Sequence, residues 1–382
     1  MSQRKTIAVN TRFLIKNKLE GIGLFTFESL KRITKTHPEI DFYFLFDRKF
    51  DAEFIFSENV KPIVLFPQAR HPFLWYWWFE ISVANWLHKH QPDLFLSADG
   101  YGCLKTEVPQ VLVMHDLAFE HFKNHVPLLT RTYYEYFMPR FAAKAKRIAT
   151  VSEFSKQDIT KQYKIAASKI DVVYNGAKEV YQPVSNEVKQ KTKLKYSDGK
   201  NYFIYVGSIH PRKNVKNLLL AFEKFKTETN SDFQLLIVGR KAWNFQEVEE
   251  THAQMKFKQE VKFLGHIPPD ELGEIVASAF AMAYISLFEG FGIPIVEAMR
   301  SVVPVITSTV SSMPEIAGDA AVLVNNAAIS PKGEGGTRLG SIETEHRDWM
   351  KVFQVNFFAP LMLARGLIEE LEAAPGAVVN VS

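Results

Sequence analysis

Short, almost continuously apolar runs alternate with helical patterns along nearly the whole chain, and this restricts the fold more than any other feature. In the first half the runs are 6–10, 41–46, 62–66, 93–97, 110–114, 147–151 and 170–174. In the second half they are 202–206, 234–238, 261–264, 281–286, 304–307, 321–324 and 377–381. Strands buried on both faces read this way, because helices cover each side of a parallel sheet. Strands alternating with helices form βαβ units. The chain is therefore expected to be α/β.

The run 176–200 breaks the pattern. It is rich in Lys, Ser, Asn and Gly, and a new strand start (NYFIYVG) follows it. This predicts two Rossmann-like, doubly wound domains in series, 1–185 and 186–324, with 325–382 completing or extending the second. The full 382 residues suffice for two separate cores. Ligands of such sheets bind beyond the carboxyl ends of the strands, so the expected site is a cleft faced by the two domains.

The strongest chemical signal is SLFEGFGIPIVEAM, following the strand 281–286. Gly290 and Gly292 allow a tight turn open to a ligand. Pro294 suits a first helical turn, so a helix should begin near Ile293. Its free N–H groups favour a phosphate or oxyanion. Glu289 then stands in the loop and Glu297 in the first helical turns. One carboxylate could take sugar hydroxyls while the other reaches a ribose.

The second signal is YVGSIHPRKNVKNLLLAF. A strand ends at Gly207, a helix starts soon after Asn214, and Arg212 and Lys213 lie in the turn between them. Adjacent cations there suit a diphosphate whose charge grows as it leaves. A solvated basic loop is the plain alternative. Gly21-Ile22-Gly23 opens the helix expected over 24–33 and reads equally as a phosphate-approach turn or an ordinary tight turn. His115-Asp116, just past a strand, reads either as a hydroxyl-binding histidine or as a structural one.

The aromatic run 72–86 (PFLWYWWFEISVANW) reads preferentially as a buried helix with Trp75, Phe79 and Trp86 facing the first sheet. A membrane-interface or acceptor surface is the alternative. Residues 1–185 carry 25 Lys+Arg against 19 Asp+Glu, which reads preferentially as ordinary solubilising charge, with attraction to an anionic lipid surface or a phosphate-bearing acceptor as the alternative. No pattern resembles a nucleic-acid-binding module. No apolar run approaches the ~20 residues of a membrane helix. The lone Cys103 excludes internal disulfides and a cysteine-based zinc cluster. The start of the chain shows no signal-peptide pattern. The expected location is cytoplasmic, with a peripheral place at the inner face of the membrane as the alternative.

Together GIG (21–23), MHDLAF (114–119), TVSEFSKQDI (150–159), VVYNGA (172–177), YVGSIHPRKN (205–214) and EGFGIPIVEA (289–298) resemble family 4 of the retaining glycosyltransferases (GT4), with the GT-B fold. The resemblance covers residues 1–324. It implies a nucleotide-sugar donor, no metal and retained anomeric configuration, with 1–185 as acceptor domain and 186–324 as nucleotide-sugar domain. By the same resemblance Arg212 and Lys213 neutralise the diphosphate. Glu289 contacts the donor sugar beside the backbone of Gly290, Phe291 and Gly292. Glu297 holds the ribose, Gly21, Gly23 and Gly207 line the donor, and His115 lies near the sugar. The wording of the last two motifs is similar to bacterial mannosyltransferases of polysaccharide assembly. The expected donor is therefore GDP-mannose, followed by UDP-glucose, and the acceptor a saccharide or lipid-linked saccharide.

Residues 325–382 resemble instead a central piece of a short-chain dehydrogenase. NNAA at 325–328, Asn356 and VVNVS at 378–382 match that family. The cofactor glycine loop that should precede this piece and the Tyr-x-x-x-Lys pair that should follow it are missing. NAD(P)-dependent hydride transfer is thus a remote alternative, and a chimera that binds nucleotide sugar without turnover is a closer one. The seam is expected near 323–326.

Overall fold

The computed structural model describes residues 4–241, 245–318 and 321–324. These form two compact units, one ending at Asn175 and the other beginning at Gly176. The division falls at the start of the predicted junction.

The first unit contains β1 (Thr6–Asn10), β2 (Asp41–Phe46), β3 (Val60–Val64), β4 (Leu94–Ser97), β5 (Gln110–Val113), β6 (Arg147–Thr150) and β7 (Ile170–Val172). They make one parallel sheet in the order β3-β2-β1-β4-β5-β6-β7. The second contains β8 (Tyr202–Val206), β9 (Gln234–Val238), β10 (Val261–Gly265), β11 (Ala281–Tyr284), β12 (Val305–Ser308) and β13 (Val322–Val324). Its parallel order is β10-β9-β8-β11-β12-β13. The expected strand at 377–381 lies outside the described residues.

Each sheet is a doubly wound α/β layer, and each has one switch point, where the strand order reverses. In the first it falls between β1 and β4, in the second between β8 and β11. The central strands are buried throughout, as the five consecutive buried residues of β8 and of β9 show. This is the burial that continuous apolar runs require.

Two expectations need adjusting. The third strand is Val60–Val64, earlier than 62–66, and Phe66 is exposed. Pro62 is tolerated because β3 is an edge strand, with one side free of ladder bonds. The aromatic run is helical, as α-helix Pro72–Trp77, π-helix Trp78–Val83 and α-helix Ala84–His90. Phe79 and Trp86 are buried in the core of the unit and Trp75 packs against it. The opposite face is not covered by this unit: Phe73 is 68% exposed and Trp77 54%. Both readings of the run therefore have a physical face.

Candidate functional site

The loops after β8 and β11, at the second switch point, are stitched together. Leu287 N–H donates to the Arg212 carbonyl at 2.8 Å. Buried Asn214, left-handed at φ 62°, donates its side-chain amide to the Ile285 carbonyl at 3.1 Å. Helix Val215–Thr229 begins directly after it. These ties bring the two predicted motifs onto one sheet edge.

Glu289 stands at the centre. Lys213 Nζ lies 2.5 Å from its Oε1, and Arg212 Nη1 3.1 Å from its Oε2. Arg212 also donates to the Phe288 carbonyl. The Tyr284 hydroxyl donates to Glu289 Oε1 at 2.9 Å and accepts from Lys213 at 3.0 Å. The side chains of Arg212, Lys213 and Glu289 are only 17%, 11% and 8% exposed. Burial pushes the Glu289 carboxyl up, but the charges of Lys213 and then Arg212 outweigh it and hold it down at about 2. The cluster is ionised at neutral pH. Two cations thus meet at one carboxylate, partly shielded from water, where charge interactions are strong.

The EGFG loop is fixed from behind. Glu289 N–H donates to Ser311 Oγ at 3.0 Å, and Ser312 Oγ lies 2.9 and 3.0 Å from the carbonyls of Glu289 and Phe291. Gly292, at φ 98°, caps helix Ile293–Arg300, with Pro294 in its first turn. A side chain is strained at that φ. Glu297 lies within this helix and is buried. Burial raises its carboxyl to about 7, although Lys178 and Tyr181 pull the other way.

Gly207, directly after β8, packs against Gly239, directly after β9. A Cβ on Gly239, at φ 146°, would lie 1.9 Å from the Gly207 carbonyl oxygen. Nothing but glycine fits there. Gly239→Ala should cost roughly 3 kcal/mol or more, from backbone clash and strain together. Urea denaturation checks this, and a loss below half that figure would contradict the assigned approach.

The first unit gathers the other expected residues at its own switch point. Helix Ile22–Thr36 starts at Gly21. A Cβ on Gly23 would sit 2.9 Å from the Phe13 carbonyl oxygen, so this helix start packs closely on the preceding loop. Phe25, one turn in, meets the His115 ring edge-on at 4.9 Å. His115 Nε2 lies 2.9 Å from the Ala98 carbonyl. Burial lowers the histidine's pKa, which keeps the ring neutral at pH 7. Donation by Nε2 then leaves Nδ1 as the acceptor nitrogen.

Beside them is a cluster that sequence reading missed. Arg12 Nε donates to Asp99 Oδ2 at 2.5 Å, Ser97 Oγ donates to Asp99 Oδ1 at 3.0 Å, and Asn10 donates to Ser97 at 2.9 Å, all buried. The guanidinium lies 4.1 Å from the Tyr101 ring centroid. Tyr284, Ser311, Ser312 and Tyr181 were also missed. Only their position at strand ends or beside motif residues could have pointed to them.

Comparisons with known proteins bear on the family and the fold. Residues 21–179 match the family model "Glycosyltransferase Family 4" and residues 186–332 "Glycosyl transferases group 1". The chain is 31% identical over 219 residues to O-antigen chain mannosyltransferase B of Escherichia coli, covering 56% of this chain and 57% of that protein. It is 29% identical over 216 residues to the O-antigen chain mannosyltransferase RfbU of Salmonella typhimurium, covering 56% of each. The chain thus spans little more than half the length of these curated relatives. Among solved structures, Anabaena HepE in complex with UDP and glucose superposes with a TM-score of 0.63 at 20% identity, covering 84% of this chain and 86% of that one. The fold is therefore that of the GT-B glycosyltransferases. Residues 300–382 match the "short chain dehydrogenase" model, and 60 residues are 52% identical to Protein FixR of Bradyrhizobium diazoefficiens, covering 16% of this chain and 22% of that protein. The two models overlap at 300–332, a stretch that includes the expected seam.

Proposed function

From the match of residues 21–179 and 186–332 to two glycosyltransferase domain models, we propose that this chain is a glycosyltransferase that moves a hexose, mannose first, from a nucleoside-diphosphate sugar to a saccharide or lipid-linked acceptor in polysaccharide assembly. The observation that carries this reading is the Arg212–Lys213–Glu289 cluster at the β8/β11 switch point. Arg212 and Lys213 take the diphosphate and neutralise the charge that grows on it, in place of a metal ion. Glu289 orients the donor sugar, beside the backbone of Gly290, Phe291 and Gly292. Glu297 accepts from the ribose hydroxyls.

Transfer proceeds with retention. The bond from the anomeric carbon to the diphosphate oxygen breaks, and the acceptor oxygen bonds that carbon on the same face. The acceptor proton passes to the leaving phosphate oxygen. The protein positions the partners and stabilises charge. Likeness to O-antigen mannosyltransferases favours GDP-mannose, while the HepE complex keeps UDP-glucose in the comparison. The exposed Phe73 and Trp77, one turn apart on helix Pro72–Trp77, offer apolar surface to a lipid-linked acceptor at the cytoplasmic membrane surface. No helix among the described residues is long and apolar enough to cross a membrane.

The test is consumption of GDP-mannose, UDP-glucose and UDP-GlcNAc with lipid-linked and free saccharide acceptors. Absence of binding to every donor overturns the proposal. Lys213→Met should weaken nucleoside diphosphate binding by about tenfold or more, the weight of one charge-assisted bond. Calorimetry with GDP and UDP reads that loss, and unchanged affinity removes Lys213 from the site. A second reading, binding without turnover, is favoured by the dehydrogenase-like match at 300–382. It predicts donor binding with no sugar transfer to any acceptor.

A further inference from the structure

We propose, on the reading of Arg212, Lys213 and Glu289 given above, that Tyr284 is a positioning residue for the diphosphate: its hydroxyl, set between Lys213 and Glu289, holds the lysine ammonium where the phosphate oxygens arrive.

Tyr284 is the last residue of β11 and is buried. The other three residues of the strand, Ala281, Met282 and Ala283, are apolar, so the strand itself does not call for a hydroxyl. Three neighbours fix the tyrosine in place. Thr307 Oγ1, on β12, donates to the Tyr284 carbonyl at 2.8 Å. The Tyr205 ring, on β8, stacks on it with centroids 6.3 Å apart and planes 18° from parallel. Gly292 passes so close that an added Cβ would lie 3.6 Å from Cε1 of the ring.

A buried tyrosine hydroxyl requires polar partners. This one has two: it accepts from Lys213 Nζ at 3.0 Å and donates to Glu289 Oε1 at 2.9 Å. Burial, and then the charge of Glu289, push the phenol well above its ordinary pKa, so it keeps the proton that it donates. A lysine ammonium is a point charge on a flexible four-carbon stem. Contact with a carboxylate alone leaves it room to swing about that oxygen. The Tyr284 hydroxyl, carried on a fixed ring, adds a second anchor and selects one position. Groups ordered before a ligand arrives lose less freedom when it binds. Tyr284 therefore acts through Lys213 and Glu289, not on the sugar.

Tyr284→Phe removes the hydroxyl and keeps the ring. Calorimetric titration with GDP and UDP, on the intact chain, Tyr284→Phe, Lys213→Met and the double variant, closes a mutant cycle. Expected is roughly fivefold weaker binding for Tyr284→Phe alone, and less than about twofold further loss once Lys213 is already replaced. Tyr284→Met also fills the space without a hydroxyl. It should give the same pattern and is the second arm should the phenylalanine variant fold poorly. Unchanged affinity in the single tyrosine variants, or an equal fold-loss in both backgrounds, overturns the inference and leaves Tyr284 as core packing. Failure of the unaltered chain to bind either nucleotide overturns the reading of the site as well.

Discussion

Glu289→Ala should abolish sugar transfer while creating a protein whose stability depends on added diphosphate. In the intact cluster Lys213 and Arg212 share one carboxylate. Removing it leaves two poorly hydrated cations side by side, and breaking a buried ion pair in this way costs about 3–5 kcal/mol. Inorganic diphosphate should restore more of that loss in the variant than it adds to the intact chain, since the variant lacks the competing carboxylate. Turnover should fall by at least about a hundredfold, the usual weight of a preorganised charge at the reacting centre. Thermal unfolding with and without diphosphate, together with a transfer assay, checks both halves. A variant that keeps most of its turnover would remove Glu289 from the mechanism.

The same residue sets an acid limit. Its pKa is held at about 2, below the ordinary value of 4.5. A depressed carboxyl contributes its full stability above pH 4.5 and loses it as pH falls through about 2. The difference corresponds to about 3 kcal/mol. Glu289→Ala should lack this acid-sensitive component.

The order in which such features can be read from sequence follows their range. Each of the thirteen described strands appears as an apolar run, because burial on both faces leaves a local mark. β3 shifted because an edge strand is patterned on one side only. The glycines, Pro294 and the acidic pair around 289–297 were legible because a strand–loop–helix turn constrains neighbouring residues. Arg12 with Asp99 and Tyr284 with Lys213 were not. Each pair is joined only by the tertiary fold, across long stretches of chain. A tyrosine at the end of an apolar strand looks like core until its hydroxyl is seen against a carboxylate. The switch points explain why the motifs nevertheless converge. Loops far apart in sequence leave adjacent strands at the same sheet edge.

Glu297→Gln should stabilise the protein at pH 8 and weaken its hold on nucleotide. Burial raises this carboxyl from 4.5 to about 7. Below pH 4.5 the group is protonated in both folded and unfolded chains and contributes no difference. As pH rises through 4.5 to 7 the unfolded chain gives up its proton first, so the folded state loses stability. Above about 7 the loss is complete, on the order of 3 kcal/mol. Glutamine keeps the shape of the side chain and carries no charge, so the variant escapes the loss. Its thermal midpoint should exceed that of the intact chain by on the order of 5 °C at pH 8, with the gap closing by pH 4.5. Its affinity for GDP and UDP should fall by about tenfold, since a neutral amide accepts less strongly from a diol and one of its two polar atoms only donates. A midpoint that drops at pH 8 would mean that the ionised carboxylate is stabilised where it stands. The two glutamates, eight residues apart on one loop and helix, therefore titrate in opposite senses. Glu289 is held ionised by cations that the donor is expected to share. Glu297 is kept ionised at neutral pH only against the cost of its burial, and a bound ribose can offset that cost because its hydroxyls donate to the charged form.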